Sequence, residues 1–201
     1  MCNAAAAKFC STCHSSTYCS VKCQKADWPL HKLLCRAIEN VAPRPSDKHK
    51  LAILLPHDSN DPQLTWVKCN EIFFDVMFHE ADTKQLLNVE THVSNRFYPG
   101  PENSRFDYNA RRKFNYDHTV KLICRAMMRL DGSSANACVN RITHGRMSYD
   151  WRGPIVVMRV KGMTSDDPIY EDVKASDLRA TVDHLLVYRK DPFAEALASY
   201  F

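Results

Sequence analysis

The stretch Cys10-Ser11-Thr12-Cys13-His14-Ser15-Ser16-Thr17-Tyr18-Cys19-Ser20-Val21-Lys22-Cys23-Gln24-Lys25-Ala26-Asp27-Trp28-Pro29-Leu30-His31-Lys32-Leu33-Leu34-Cys35 decides how this chain folds at its start. Its thiol and imidazole groups come in pairs, Cys10-x2-Cys13, Cys19-x3-Cys23 and His31-x3-Cys35, and Cys2 stands eight positions before Cys10. A Cys-x2-Cys turn offers two thiolates to one tetrahedral ion. An x3 gap on a helix puts both members on one face, about a turn apart. Such ladders bind zinc, and the binding supplies folding free energy directly, about 10–16 kcal/mol in small zinc modules. Seven ligands are one short of the eight that two closed sites require.

Outward from this stretch, the composition is that of a globular protein: 201 residues, 45% hydrophobic and 25% charged. No apolar run is long enough for a membrane span, and the N-terminus has no basic region followed by an apolar core. Nine cysteines without a secretory signal predict a reducing, intracellular compartment (nucleus or cytoplasm) and metal binding instead of disulfides. Cys69, Cys124 and Cys138 show no pairing and are expected as buried thiols. Residues 1–50 hold eight Lys/Arg against three Asp/Glu. That excess raises nucleic-acid binding as a weaker reading, although lysines on a small helix also serve solubility.

Three regions follow: residues 1–40 with the ladder, a polar linker over 41–49 containing Pro43 and Pro45, and a domain over 50–201. In the first, Asp27 reads as a helix N-cap with Pro29 in the first turn, and Ser20 caps a short helical turn carrying Cys23 and Gln24. The third reads as α+β with a mixed or antiparallel sheet. Strands are predicted over 50–55, 63–69, 89–94, 119–124 and 154–160, and helices over 133–142 and 175–189, the second capped by Ser176. The Pro-, Gly- and Asn-containing stretch 98–112 predicts a loop.

With Tyr18-Cys19-Ser20, Cys23-Gln24 and Asp27-Trp28-Pro29-Leu30-His31-Lys32 between its ligands, residues 2–35 resemble the MYND zinc finger. The resemblance implies a small interleaved finger with short helices and two zinc ions. Cys10, Cys13, His31 and Cys35 would complete one site, and Cys2, Cys19 and Cys23 would make a second that lacks one ligand. The fourth ligand would fall before Met1. A late chain start, a three-cysteine site closed by water or by the Cys2 amine, and an empty site are the alternatives. His14 lies outside the spacing and is expected at the surface.

The resemblance also implies a protein-interaction module that takes short Pro-containing peptides, as a regulator or scaffold. Ser11, Gln24 and Trp28 match the peptide-contacting positions; Trp28 offers a flat apolar face to a proline ring, or else packs between the zinc loops. The expected partner is a protein with a Pro-rich motif, with no membrane partner and nucleic acid disfavoured.

Residues 50–201 contain no Asn-His pair of the kind a SET methyltransferase needs, no His-x-Asp of a 2-oxoglutarate hydroxylase, and no phosphate-cradling Gly loop. The expectation is therefore that the chain is not an enzyme. An unrecognised enzyme recruited by the finger is the alternative. Asp150-Trp151-Arg152-Gly153-Pro154-Ile155-Val156-Val157, after Arg141-Ile142-Thr143-His144-Gly145, resembles the C-terminal region of fungal MYND-finger proteins, which implies no activity. Trp151 reads as a core anchor, Arg152 as a partner for a carboxylate, and the set Asp117, His118 and Arg125 as a weak catalytic candidate.

Overall fold

A computed structural model describes residues 8–73, 77–88, 101–161 and 168–189, with the backbone alone described over 72–73, 77–79 and 101–103. Short strands β1 (Lys8–Phe9) and β2 (Thr17–Tyr18) pair antiparallel and lead into helix α1 (Val21–Glu39). The large sheet holds β3 (His49–Leu55), β4 (Gln63–Phe73), β5 (Met77–Ala81), β6 (Pro101–Asn109), β7 (Phe114–Arg125), β8 (Ile155–Lys161) and β9 (Tyr170–Glu171). Its order is β5-β4-β3-β8-β7-β6, with β9 beside β8, and every described pairing is antiparallel. Helices α2 (Ala137–Thr143) and α3 (Ala175–Leu185) are the other helices among the described residues.

Alternation along the central strands sorts their side chains onto two faces. Leu51, Ile53 and Leu55 of β3, Val120, Leu122 and Cys124 of β7, and Ile155 and Val157 of β8 join one buried cluster. All three helices cover it, through Leu30 and Leu34 of α1, Val139 and Ile142 of α2, and Leu178, Val182 and Leu185 of α3. Ala52, Val67, Cys69, Ile123, Val156, Met158 and Val160 form the opposite face under Leu87 and Tyr170. Both faces are dry, which is why 120–124 and 155–160 are near-continuous apolar runs.

Several expectations need correcting. The finger has one helix among the described residues, not two: α1 is capped by Ser20, whose side chain accepts from Cys23 N–H at 3.2 Å, and runs through Pro29. Asp27 is therefore mid-helix and buried, not a cap. Helix α2 is shorter than expected, beginning after Asn136, and α3 ends at Leu185. Ser176 does not cap α3; the Asp177 carboxylate instead accepts from Lys174 N–H at 2.8 Å. Residues 101–109 of the expected loop form β6, an edge strand whose first residue is Pro101, a position where the missing N–H is tolerated. The strand expected over 89–94 lies outside the described residues. Trp151 is buried in the helix-covered cluster, and Arg152 pairs with Asp150 at 2.6 Å.

Segment 41–49 runs from α1 to β3 and is held along its length, with Cys69 N–H donating to the Lys48 carbonyl at 2.8 Å. Trp66 Nε1 donates to the Ala42 carbonyl at 3.1 Å, and Arg44 pairs with Asp172 at 2.6 Å. No helix among the described residues is long and apolar enough to cross a membrane.

Candidate metal centre

The β1–β2 ribbon and α1 deliver the four ligands. Cys10 N–H donates to the Ser16 carbonyl at 2.8 Å, and His14 N–H to the Cys10 carbonyl at 3.1 Å, closing the turn that carries Cys10 and Cys13. His14 ends this turn in the left-handed region (φ 52°), and its side chain is exposed, away from the cluster. His31 and Cys35, one turn apart on α1, meet the ribbon from the other side. The four ligand atoms all lie within 4.8 Å of one another, and all four residues are buried.

The edges of this cluster test its fit to zinc. Tetrahedral bonds of about 2.3 Å to sulfur and 2.0–2.1 Å to nitrogen require S···S edges of about 3.8 Å and S···N edges of about 3.6 Å. Cys10 Sγ and Cys35 Sγ are 3.8 Å apart, and Cys13 Sγ and His31 Nε2 are 3.6 Å apart. His31 Nδ1 is buried with no hydrogen-bond partner among the described residues, so Nε2 is the nitrogen turned to the ion. The donor set and its spacing suit a structural zinc ion.

The electrostatics without metal agree. Burial pushes the Cys35 thiol up to about 12, and the crowded Cys10 and Cys13 sulfurs add to it. Burial raises Cys13 too. Cys10 goes the other way: burial alone would raise it, but the Cys13 and Thr12 backbone N–H groups, which favour the thiolate, hold it below its ordinary value. His31 is lowered by burial, against the pull of Asp27. Three thiolates at such distances need a cation to neutralise them, so zinc enters by displacing protons.

Behind the ligands, Asp27 ties the finger to the rest of the chain. It accepts from Tyr18 Oη at 2.8 Å and from Arg179 Nε of α3 at 2.9 Å. Burial and the Asp27 carboxylate push the Tyr18 hydroxyl well above its usual range. The Ser15 hydroxyl accepts from Ala175 N–H, the first residue of α3, at 2.9 Å. Sequence reasoning missed this joint because Asp27 beside Trp28-Pro29 imitates a cap, and no local signal links it to Arg179.

Cys19 and Cys23 stand outside the four-ligand cluster with their sulfurs 3.3 Å apart, Cys19 exposed and Cys23 half-buried against the cluster, while Cys2 lies outside the described residues. Ser11 is exposed, Gln24 is partly exposed, and Trp28 is 48% exposed. The Trp28 ring is tilted over His31 with centroids 6.0 Å apart. Of the weak catalytic set, Asp117 and His118 meet at 2.6 Å, and His118 also contacts the buried Asp177 at 3.0 Å. Arg125 is elsewhere, paired with Asp131.

Residues 1–35 match the MYND finger family model. The N-terminal module is a MYND zinc finger. Similar proteins include N-lysine methyltransferase SMYD2-A of Xenopus laevis, 29% identical over 96 residues that cover 44% of this chain and 22% of the relative. Histone-lysine N-methyltransferase SMYD3 of Homo sapiens is 46% identical over 43 residues, 21% of this chain and 10% of the relative. SET domain and MYND-type zinc finger protein 6 of Schizosaccharomyces pombe is 57% identical over 30 residues, 15% of this chain and 6% of the relative. No solved structure matches the chain at a significant level.

The chain spans about a fifth of the length of the first curated relatives it matches. These relatives correct the expectation that it is not an enzyme, because they are lysine methyltransferases. Motifs missing from so small a share of such proteins do not decide whether catalysis occurs.

Proposed function

We propose that the finger recruits a protein partner by gripping a short Pro-containing segment on the surface formed by Ser11, Gln24 and Trp28. The carrying observation is Trp28: a large ring left 48% exposed on the helix that also holds His31 and Cys35. Its free face suits the flat packing of a proline ring, and Gln24, one turn earlier on α1, has both donor and acceptor for an extended peptide backbone. Fluorescence anisotropy with a labelled Pro-rich peptide series tests this. Trp28→Ala, with zinc content unchanged, is expected to weaken the best ligand at least about tenfold, in the range of an interface hot spot. Equal binding by the variant sinks the assignment.

Cys19 and Cys23, with Cys2, would hold a second zinc ion. Their paired sulfurs support it, since two thiols at 3.3 Å need little movement to share an ion. Replacing both with Ser is expected to lower the zinc content from two ions per chain to one. The zinc thiolates, with Cys69 and Cys138 as buried thiols, also support a reducing, intracellular setting.

A second reading comes from the relatives: the protein takes part in lysine N-methylation, with the finger as its recruitment arm. The matches to SMYD2 and SMYD3 favour it. Transfer of label from a sulfonium methyl donor to lysine-containing peptides, abolished by heat denaturation, is the expected result; no transfer removes this reading and leaves the recruitment proposal standing.

A further inference from the structure

A cleft of about 740 Å3 opens where α1, the turn after β6, the end of α2 and α3 converge. Six cations line it: Lys32, Arg111, Arg112, Arg141, Arg146 and Arg179. Three of them are matched by carboxylates. Arg179 pairs with Asp27 at 2.9 Å, Arg112 with Asp183 at 2.6 Å, and Arg141 with Asp61. Arg111 reaches only Asp183, at 4.0 Å, which Arg112 already engages. Lys32 and Arg146 are exposed and make no ion pair among the described residues. Three positive charges therefore face the cleft in excess.

Between the cations the walls are aliphatic, including Leu33 of α1, Ile142 of α2 and Leu186 beyond α3. We propose that this cleft binds an acidic, leucine-containing peptide segment of a protein partner, as a surface additional to the one around Trp28. Carboxylates suit guanidinium forks, and a concave low-dielectric site focuses the excess charge and speeds encounter. Aliphatic walls remove leucine side chains from water. A nucleic acid fits the same charge less well, because no Phe, Tyr or Trp lines the cleft to stack a base, and His144 is the one ring among the lining residues. Trp28 and Lys32 are one turn apart on α1, so a partner chain leaving the Trp28 surface enters the cleft directly.

The probe is a labelled amphipathic Glu/Leu peptide, followed by anisotropy on the zinc-loaded full chain. Its comparisons are the Gln/Leu and Glu/Ser versions and a single-stranded oligonucleotide. The Glu/Leu peptide is expected to bind, more weakly as salt is raised, and to lose at least about tenfold in affinity in the Lys32→Ala, Arg111→Ala, Arg146→Ala variant. A charge-matched variant, Lys8→Ala, Lys48→Ala, Lys68→Ala, whose sites lie outside the cleft, is expected to bind as the parent does. The inference is overturned by no binding of the Glu/Leu peptide, equal binding of the Gln/Leu or Glu/Ser peptide, tighter binding of the oligonucleotide, or equal losses in both triple variants.

Discussion

Asp27 is 1% exposed, and its charge is supported by one phenol and one guanidinium from different parts of the chain. Removing Arg179 strands that carboxylate with Tyr18 alone, and a buried charge that loses its counter-ion is costly. Arg179→Ala is expected to lower unfolding stability by about 2–3 kcal/mol in urea titration, and Asp27→Asn with Arg179→Ala to recover part of that loss. His184 gives the pH dependence. Burial pushes its imidazole down to about 4, and its ring stacks on Phe106 with centroids 4.0 Å apart. The unfolded imidazole protonates near its ordinary value of about 6.5, before the folded one does. Stability is therefore whole above pH 6.5 and declines as pH falls through 4, by about 3 kcal/mol in all. His184→Phe keeps the stack and removes this share of the acid sensitivity; urea midpoints at pH 7 and pH 5 in both proteins measure it.

At the element scale, two helix caps differ in what they hold. Ser20 satisfies one exposed N–H, so Ser20→Ala is expected to cost about 1 kcal/mol. Asn136 is buried, accepts from Val139 N–H at 2.7 Å, and donates to the Leu55 and Gly153 carbonyls at 3.0 and 2.7 Å. It ties α2 to the ends of β3 and β8. Asn136→Ala leaves three backbone groups without partners and is expected to cost about 3 kcal/mol or more by the same titration. The apolar strands β3 and β8, and the first part of β4, were legible because a run such as Leu51–Leu55 has nowhere to go but a core. Strand β6 was not, since the signals in Pro101, Asn103 and Ser104 belong to a loop as much as to an edge strand. Pro29 misled for a related reason: a helix tolerates it once packing by Leu30 and Leu34 holds the turn.

Across the whole molecule, α1 serves two cores at once. Its Cys35 belongs to the zinc cluster with Cys10 and Cys13, while Leu30 and Leu34 belong to the cluster filled by β3, β7, β8, α2 and α3. The ligand ladder was readable as metal chemistry from spacing alone, but not the joint to α3, because Asp27–Arg179 and Ser15–Ala175 span more than 150 residues of sequence. Loss of zinc from Cys10, Cys13, His31 and Cys35 should therefore weaken the entire fold and not the finger alone. The most direct measurement is the zinc content and thermal unfolding of the intact chain beside Cys13→Ser, Cys35→Ser. One fewer zinc ion per chain, with a lower midpoint reported also by the far-UV signal of the sheet, is the expected result. Equal zinc content in the two proteins would contradict the site, and an unchanged sheet transition would contradict its coupling to the fold.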